Sequence, residues 1–228
     1  MTTLEVLKTG ITVRLSGSAA AWFDRATREI PGESRDHLLQ LYTEVSRRTG
    51  HPPQPFDAIA GFPPPSANGL SVIHWTVEDA VRLALLLTRS NAVDAMDFYG
   101  DALACYELGD AREQRSWLKA VTLLPEPEQY LSLVIDACRT NILPQFEAVA
   151  CENPYPARYF PDSNFNQLVL KALFNGVRLE RIVGLDRRAN PELTRMAADY
   201  AAERRAARRP VPADIGLAMT GTATGIHS

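Results

Sequence analysis

The run Thr76-Val77-Glu78-Asp79-Ala80-Val81-Arg82-Leu83-Ala84-Leu85-Leu86-Leu87 decides the fold class. Thr-x-x-Asp at its head has the spacing of a capping box, in which each side chain satisfies a free backbone N–H of the helix start. The residues that follow are apolar on most sides when wound at 3.6 per turn, so the spacing predicts a helix at the centre of a helical core. Upstream, residues 18–30 place Ala19, Trp22, Phe23 and Ala26 on one stripe, with Ser18 as the expected cap. Residues 34–48 repeat the pattern with Leu38, Leu39, Tyr42 and Val45, and Gly50 stops them. Downstream, residues 92–108 end at Gly109, and Asp110-Ala111-Arg112-Glu113 restarts helix with a second cap. Pro125 and Pro127 open a segment carrying Tyr130, Leu131, Val134, Ala137 and Cys138, and a short helix at 144–151 follows. Further helices are expected at 164–175, 179–183 and 190–209. The last starts at Asn190-Pro191-Glu192: a cap residue, a proline at the first helical position, and an acid complementing the dipole.

Two breaks interrupt this pattern. Between Gly50 and Asn68 come His51 and six prolines, which forbid regular helix and predict a surface connector or lid. Residues 152–163 hold Pro154, Pro156 and Pro161 and predict a loop. A weak β-like stretch at Gly10–Leu15 is the one departure from helical patterning. The expected fold is all-α, a non-repetitive stack of short helical hairpins, with a single domain over 1–212 and a flexible tail over 213–228.

With 228 residues, 46% of them hydrophobic, the chain can bury a core without covalent staples. Its 24 basic and 27 acidic side chains leave a formal charge of −3, which excludes general disorder and argues against a nucleic-acid partner. Cys105, Cys138 and Cys151 have no C-x-x-C spacing and do not suggest a disulfide framework. The N-terminus lacks a basic region followed by an apolar run, and the longest purely apolar stretch, Leu83–Leu87, is too short to span a bilayer. No integral membrane segment and a cytoplasmic location are expected. The chain has no Gly-Lys-Ser/Thr phosphate loop, no Gly-x-Ser-x-Gly elbow and no His-Glu-x-x-His pair, so neither a cofactor nor a metal is expected. Dispersed carboxylates, which can also hold a cation, leave no fixed spacing to read.

Chemistry-bearing side chains concentrate in residues 151–174. Tyr155, Tyr159 and Phe160 can form an aromatic wall. Asn153, Arg158, Asn164 and Asn166 can read hydroxyls or an anion, and Lys171 follows seven residues after Asn164 on a similar helical face. The prolines hold such groups in place without a large ordering cost on binding. The same asparagines can equally serve as helix caps in a loop that only packs. His74, before the central helix, either exchanges protons near neutral pH or packs at the helix entry. His37, beside Asp36, and His227 in the tail carry no such pattern. Arg204, Arg205, Arg208 and Arg209 form a basic face at a helix C-terminus, where cations are favoured.

The segments Glu152-Asn153-Pro154-Tyr155-Pro156, Tyr159-Phe160-Pro161, Phe165 to Ala172, Arg178 to Leu185 and Asn190-Pro191-Glu192-Leu193 resemble the C-terminal half of EboA-domain proteins. The likeness is specific over about residues 150–210; upstream only the helical character is shared. EboA proteins are encoded in bacterial clusters beside a sugar-phosphate cyclase, a UbiA-type prenyltransferase, a TatD-like hydrolase and isomerase-like barrels. The resemblance therefore implies service to a specialised-metabolite pathway, with a cyclitol-like or prenylated precursor made or moved towards the periplasm. It carries over no catalytic residue.

The residues allow two functions. One is an accessory protein that binds a small polar intermediate or a partner pathway enzyme. The other is an isomerase, lyase or hydrolase working by acid–base chemistry, for which Glu152, His74 and Lys171 are the available groups and Cys151 a remote nucleophile. Convergence of Glu152 or His74 with Lys171 on a closed pocket would favour the enzyme; an open groove would favour the binder.

Overall fold

A computed structural model describes residues 2–50 and 52–219. Its contacts divide into two compact units, Met1–Pro127 and Glu128–Ser228. The described residues form an all-α protein of short helices without a sheet.

The first unit comprises α1 (Thr3–Thr12), α2 (Gly17–Glu29), α3 (Arg35–Arg48), α4 (Val77–Ser90), α5 (Ala95–Glu107) and α6 (Ala111–Ala120). As the sequence predicts, α4 is central: it touches all five other helices, and every residue from Val77 to Arg89 is buried. Both capping boxes form, Thr76 with Asp79 on α4 and Asp110 with Glu113 on α6. On α3 the buried set is Leu38, Leu41, Tyr42 and Val45. Leu41 replaces the expected Leu39 because i, i+3, i+4, i+7 is the truer stripe.

Two expectations for this unit are corrected. The Gly10–Leu15 stretch is not extended: residues 3–12 are helical, capped by a Thr2–Glu5 box, with Leu7 and Ile11 buried one turn apart. The 50–68 connector runs over the surface with most of its residues exposed, but it is a strap pinned by buried aromatics and not a lid. Phe56 and Phe62 are buried, and the Phe62 ring meets Phe56 at 6.0 Å and Trp75 at 5.8 Å, both edge-on. The Phe56 N–H donates to the Trp75 carbonyl at 2.9 Å, so the strap is sewn to the entry of α4. Gly10 admits it closely, since a Cβ there would stand 2.3 Å from the Ile59 Cδ1. Prolines excluded helix from this segment, and Phe56 and Phe62 anchor it to the core.

The second unit comprises α7 (Leu131–Ala137), α8 (Leu143–Ala150), α9 (Tyr155–Tyr159), α10 (Asp162–Asn175), α11 (Leu185–Arg188) and α12 (Pro191–Ala206), with 3-10 turns at Leu179–Arg181 and Ile215–Ala218. Helix α10 packs on α8, on α12 and on the Leu179–Arg181 turn. Its chain reverses at Gly176, whose φ of 69° lies in the left-handed region that glycine enters without strain. The expected 152–163 loop contains α9: Pro154 and Pro156 occupy the N-cap and second positions of that turn, where a missing N–H costs no helical bond. Residues 213–219, placed by the sequence in the tail, include a turn with Ile215 and Ala218 buried, and the Asp214 carboxylate accepts the Leu179 N–H at 2.6 Å. Residues 220–228 of that tail, with His227, lie outside the described residues, as does His51. Among the described residues no helix is long and apolar enough to cross a membrane.

Candidate functional site

The 151–174 segment divides into side chains that lock the second unit and side chains that face a groove. Glu152, at φ 52°, accepts two hydrogen bonds from the Arg181 guanidinium (2.9 and 3.0 Å) and donates its own N–H to the Arg181 carbonyl at 2.8 Å. The hydrogen bond to Glu152, against the cost of burial, raises the Arg181 pKa above its ordinary value. Asn153 is buried; its amide donates to the Ala148 carbonyl (3.0 Å) and its carbonyl accepts the Tyr155 N–H (3.0 Å), turning the chain from α8 into α9. Asn166, also buried, exchanges two hydrogen bonds with Asn190 (3.1 and 2.9 Å), while Asn190 caps α12 through the Leu193 N–H. Arg188, which sequence reasoning passed over, donates to the carbonyls of Pro156, Ala157 and Phe160, closing the C-terminal end of α9.

The expected aromatic wall is largely interior. Tyr155 is wholly buried, with ring centroids 4.7 Å from Tyr159 and 6.3 Å from Phe160. Burial pushes its phenol well above the ordinary value. Tyr159 is half-buried and Arg158 exposed. Cys151 is buried, and desolvation pushes its thiol up to about 12, far from a nucleophile's range.

The groove is built on one face of α10. Asn164, Gln167, Leu168 and Lys171, at i, i+3, i+4 and i+7, line a hollow of about 290 Å³ with Ile135, Cys138 and Arg139 from the end of α7, and with Phe160. Two of the expected ligand contacts, Asn164 and Lys171, thus come together as their spacing implied. Gln167 and Arg139 complete the polar set; the first was legible from the same helical period, the second only from the fold. The Lys171 ammonium donates to the Cys138 and Thr140 carbonyls, each at 2.6 Å, and rides over the Phe146 ring at 5.2 Å. It thereby closes the C-terminus of α7 and keeps one of its three N–H donors.

His74 belongs to the first unit, where it is exposed and its carbonyl accepts the Lys119 ammonium at 2.6 Å. That unit holds a second constellation. Arg82, 1% exposed, donates to the Tyr42 carbonyl (3.3 Å), Glu78 Oε2 (3.3 Å), Ser116 Oγ (3.1 Å) and Ser46 Oγ (2.7 Å). Beside it, Asp79 accepts from Ser116 (2.6 Å) and Lys119 (2.8 Å). Burial alone would raise the Asp79 carboxyl, but the Lys119 ammonium and the hydrogen bonds from Lys119, Ser116 and Thr76 hold it below the ordinary value. One end of α4 carries a further pair: Arg89 donates to Asp101 at 2.6 Å, and Arg35 reaches the other Asp101 oxygen at 2.6 Å. Glu78, Arg82 and Arg89 recur four and seven residues apart, so the stripe was visible in the sequence. Its partners on α3, α5 and α6 were not. Among the described residues no group of His, Cys, Asp or Glu side chains is placed to hold a metal ion.

Fold and side-chain arrangement define an all-α protein whose most built-up polar groups are internal. The family model for the metabolite traffic protein EboA matches residues 3–220, and the chain belongs to that family. Comparison with curated proteins and with solved structures gives no match.

Proposed function

We propose that this chain is a non-catalytic accessory protein of a metabolite pathway and that it holds a small polar intermediate in the α10 groove. The observation that carries this reading is the groove itself. Asn164, Gln167, Lys171 and Arg139 converge over an apolar floor of Ile135, Leu168 and Phe160, the pattern of a site that orients a polar ligand on an apolar bed. The groups suited to proton transfer support binding over turnover, because Glu152 is committed to Arg181 and neither Glu152 nor His74 lines the groove. The family's name points to metabolite handling, and the resemblance of residues 150–210 makes a cyclitol-like intermediate the ligand class to try first. The match spans both units, which supports their serving one function; a cytoplasmic site of action is part of the proposal.

Native mass spectrometry on protein purified gently from cells expressing its whole gene neighbourhood tests this. A co-purifying small mass is expected, and Gln167→Leu and Asn164→Ala should each remove it while leaving helical circular dichroism unchanged. A mass retained in both variants, or conversion of the co-purified compound by the isolated protein, would refute the reading.

A further inference from the structure

A second hollow on the same unit shares no residue with the α10 groove. Leu179, Ile182, Leu185 and Leu217 line it with Glu180 and Asp186, enclosing about 540 Å³. That volume lies within the roughly 300–1,000 Å³ of small-molecule sites. Leu179, Ile182 and Leu185 are buried and form the floor, and Leu217, 38% exposed, stands on the rim. The walls are tied: the Leu179 N–H bond to Asp214 joins the Leu179–Arg181 turn to the Ile215–Ala218 turn that carries Leu217. Gly184, at φ 76°, swings the chain into α11 and so sets Leu185 against the floor.

The charges decide what fits. Among the described residues, both ionisable groups lining the hollow are carboxylates. Glu180 pairs with Arg178 at the edge, whereas Asp186 is exposed and makes no hydrogen bond or ion pair among the described residues. A carboxylate or phosphate on an apolar tail would meet repulsion from Asp186, a neutral head group would gain nothing from it, and a cation would gain a charge pair. We propose that this hollow binds a small amphiphilic amine, its apolar body on Leu179, Ile182 and Leu185 and its ammonium facing Asp186. The site is independent of the polar-ligand reading of the α10 groove.

The test uses the full chain and the neutral dye N-phenyl-1-naphthylamine, whose fluorescence rises on entering an apolar site. Decylamine, decanol and decanoate then compete at pH 7.5, all below their micelle concentrations. Decylamine should displace the dye at about tenfold lower concentration than decanoate, a difference of about 1.4 kcal/mol. Glu180→Gln with Asp186→Asn should abolish the preference of amine over alcohol while the dye still binds. Leu217→Trp should narrow the hollow and Leu217→Ser should strip apolar surface from its rim, each weakening dye binding severalfold with unchanged circular dichroism. Decanoate competing as well as decylamine, or dye binding indifferent to both Leu217 variants, would overturn the proposal.

Discussion

Replacing Arg82 by methionine should destabilise the first unit by about 3–5 kcal/mol, the usual cost of removing one member of a buried ion pair. Methionine keeps most of the side-chain length and apolar volume, so the loss is electrostatic. Four donated hydrogen bonds disappear, from Arg82 to Tyr42, Glu78, Ser116 and Ser46. Ser116 keeps its bond to Asp79, and the Tyr42 carbonyl lies within α3, so neither is stranded. The main cost falls on Glu78, 2% exposed, whose nearest remaining cation is Arg112 at 3.5 Å. Adding Glu78→Gln removes that stranded charge, so the double variant should be less destabilised than the sum of the singles by about 1–3 kcal/mol. The assay is urea unfolding followed by tryptophan fluorescence. Trp22, Trp75 and Trp117 all lie in the first unit, so the signal reports that unit and not the second. With a slope of about 2 kcal/mol per molar urea, a loss of 4 kcal/mol moves the midpoint by about 2 M. A midpoint within about 0.5 M of the parent, or strictly additive singles, would show that α4 does not depend on its internal charges.

Three further outcomes are expected. Burial raises the Cys105 thiol well above its ordinary value and the Cys138 and Cys151 thiols to about 12, so the native protein should be inert to Ellman's reagent at pH 8 and release three equivalents only when unfolded; prompt reaction of one equivalent would contradict this. The Asp79 pKa is lower folded than unfolded, so its contribution is fully present above about pH 3.9 and fades as pH falls through the lower folded value. Asp79→Asn should therefore flatten the acid limb of the stability profile, and an unchanged limb would assign that limb to other carboxylates. Glu152→Gln keeps the shape but loses the charge that grips Arg181, and should cost about 1 kcal/mol in circular-dichroism melts of the second unit; a loss above about 3 kcal/mol would mean that Glu152 supports more than this clasp.

What was legible in the sequence had causes within a few residues. The Thr76–Asp79 and Asp110–Glu113 boxes and the Asn190 cap are short-range hydrogen-bonding patterns, and all three formed. Asn164 and Lys171 met at one groove because helical period is local too. Long-range causes stayed hidden. Phe56 and Phe62 were set among prolines, and nothing nearby showed that Trp75 and the open face at Gly10 would receive that strap. Asn153 and Asn166 read as ligand contacts because an amide carries no sign of whether its partner is a solute or, as here, Ala148 and Asn190. The β-branched Ile11, Thr12 and Val13 suggested strand, yet packing of Leu7 and Ile11 against the core outweighed that propensity.

Helix α4 has a consequence for how the chain is made. When the ribosome has released residues 1–90, α4 can pair Glu78 with Arg82 along its own length. Asp79 and Arg89 then have no lysine or aspartate to meet, because Lys119 and Asp101 have not yet emerged. A helix that the finished fold buries on every side must wait in that state for some thirty more residues. Production of this protein is therefore most exposed to aggregation in the interval between the emergence of α4 and that of α6, and translation slowed while residues 90–120 emerge should lower its yield of folded chain more than the same delay placed later.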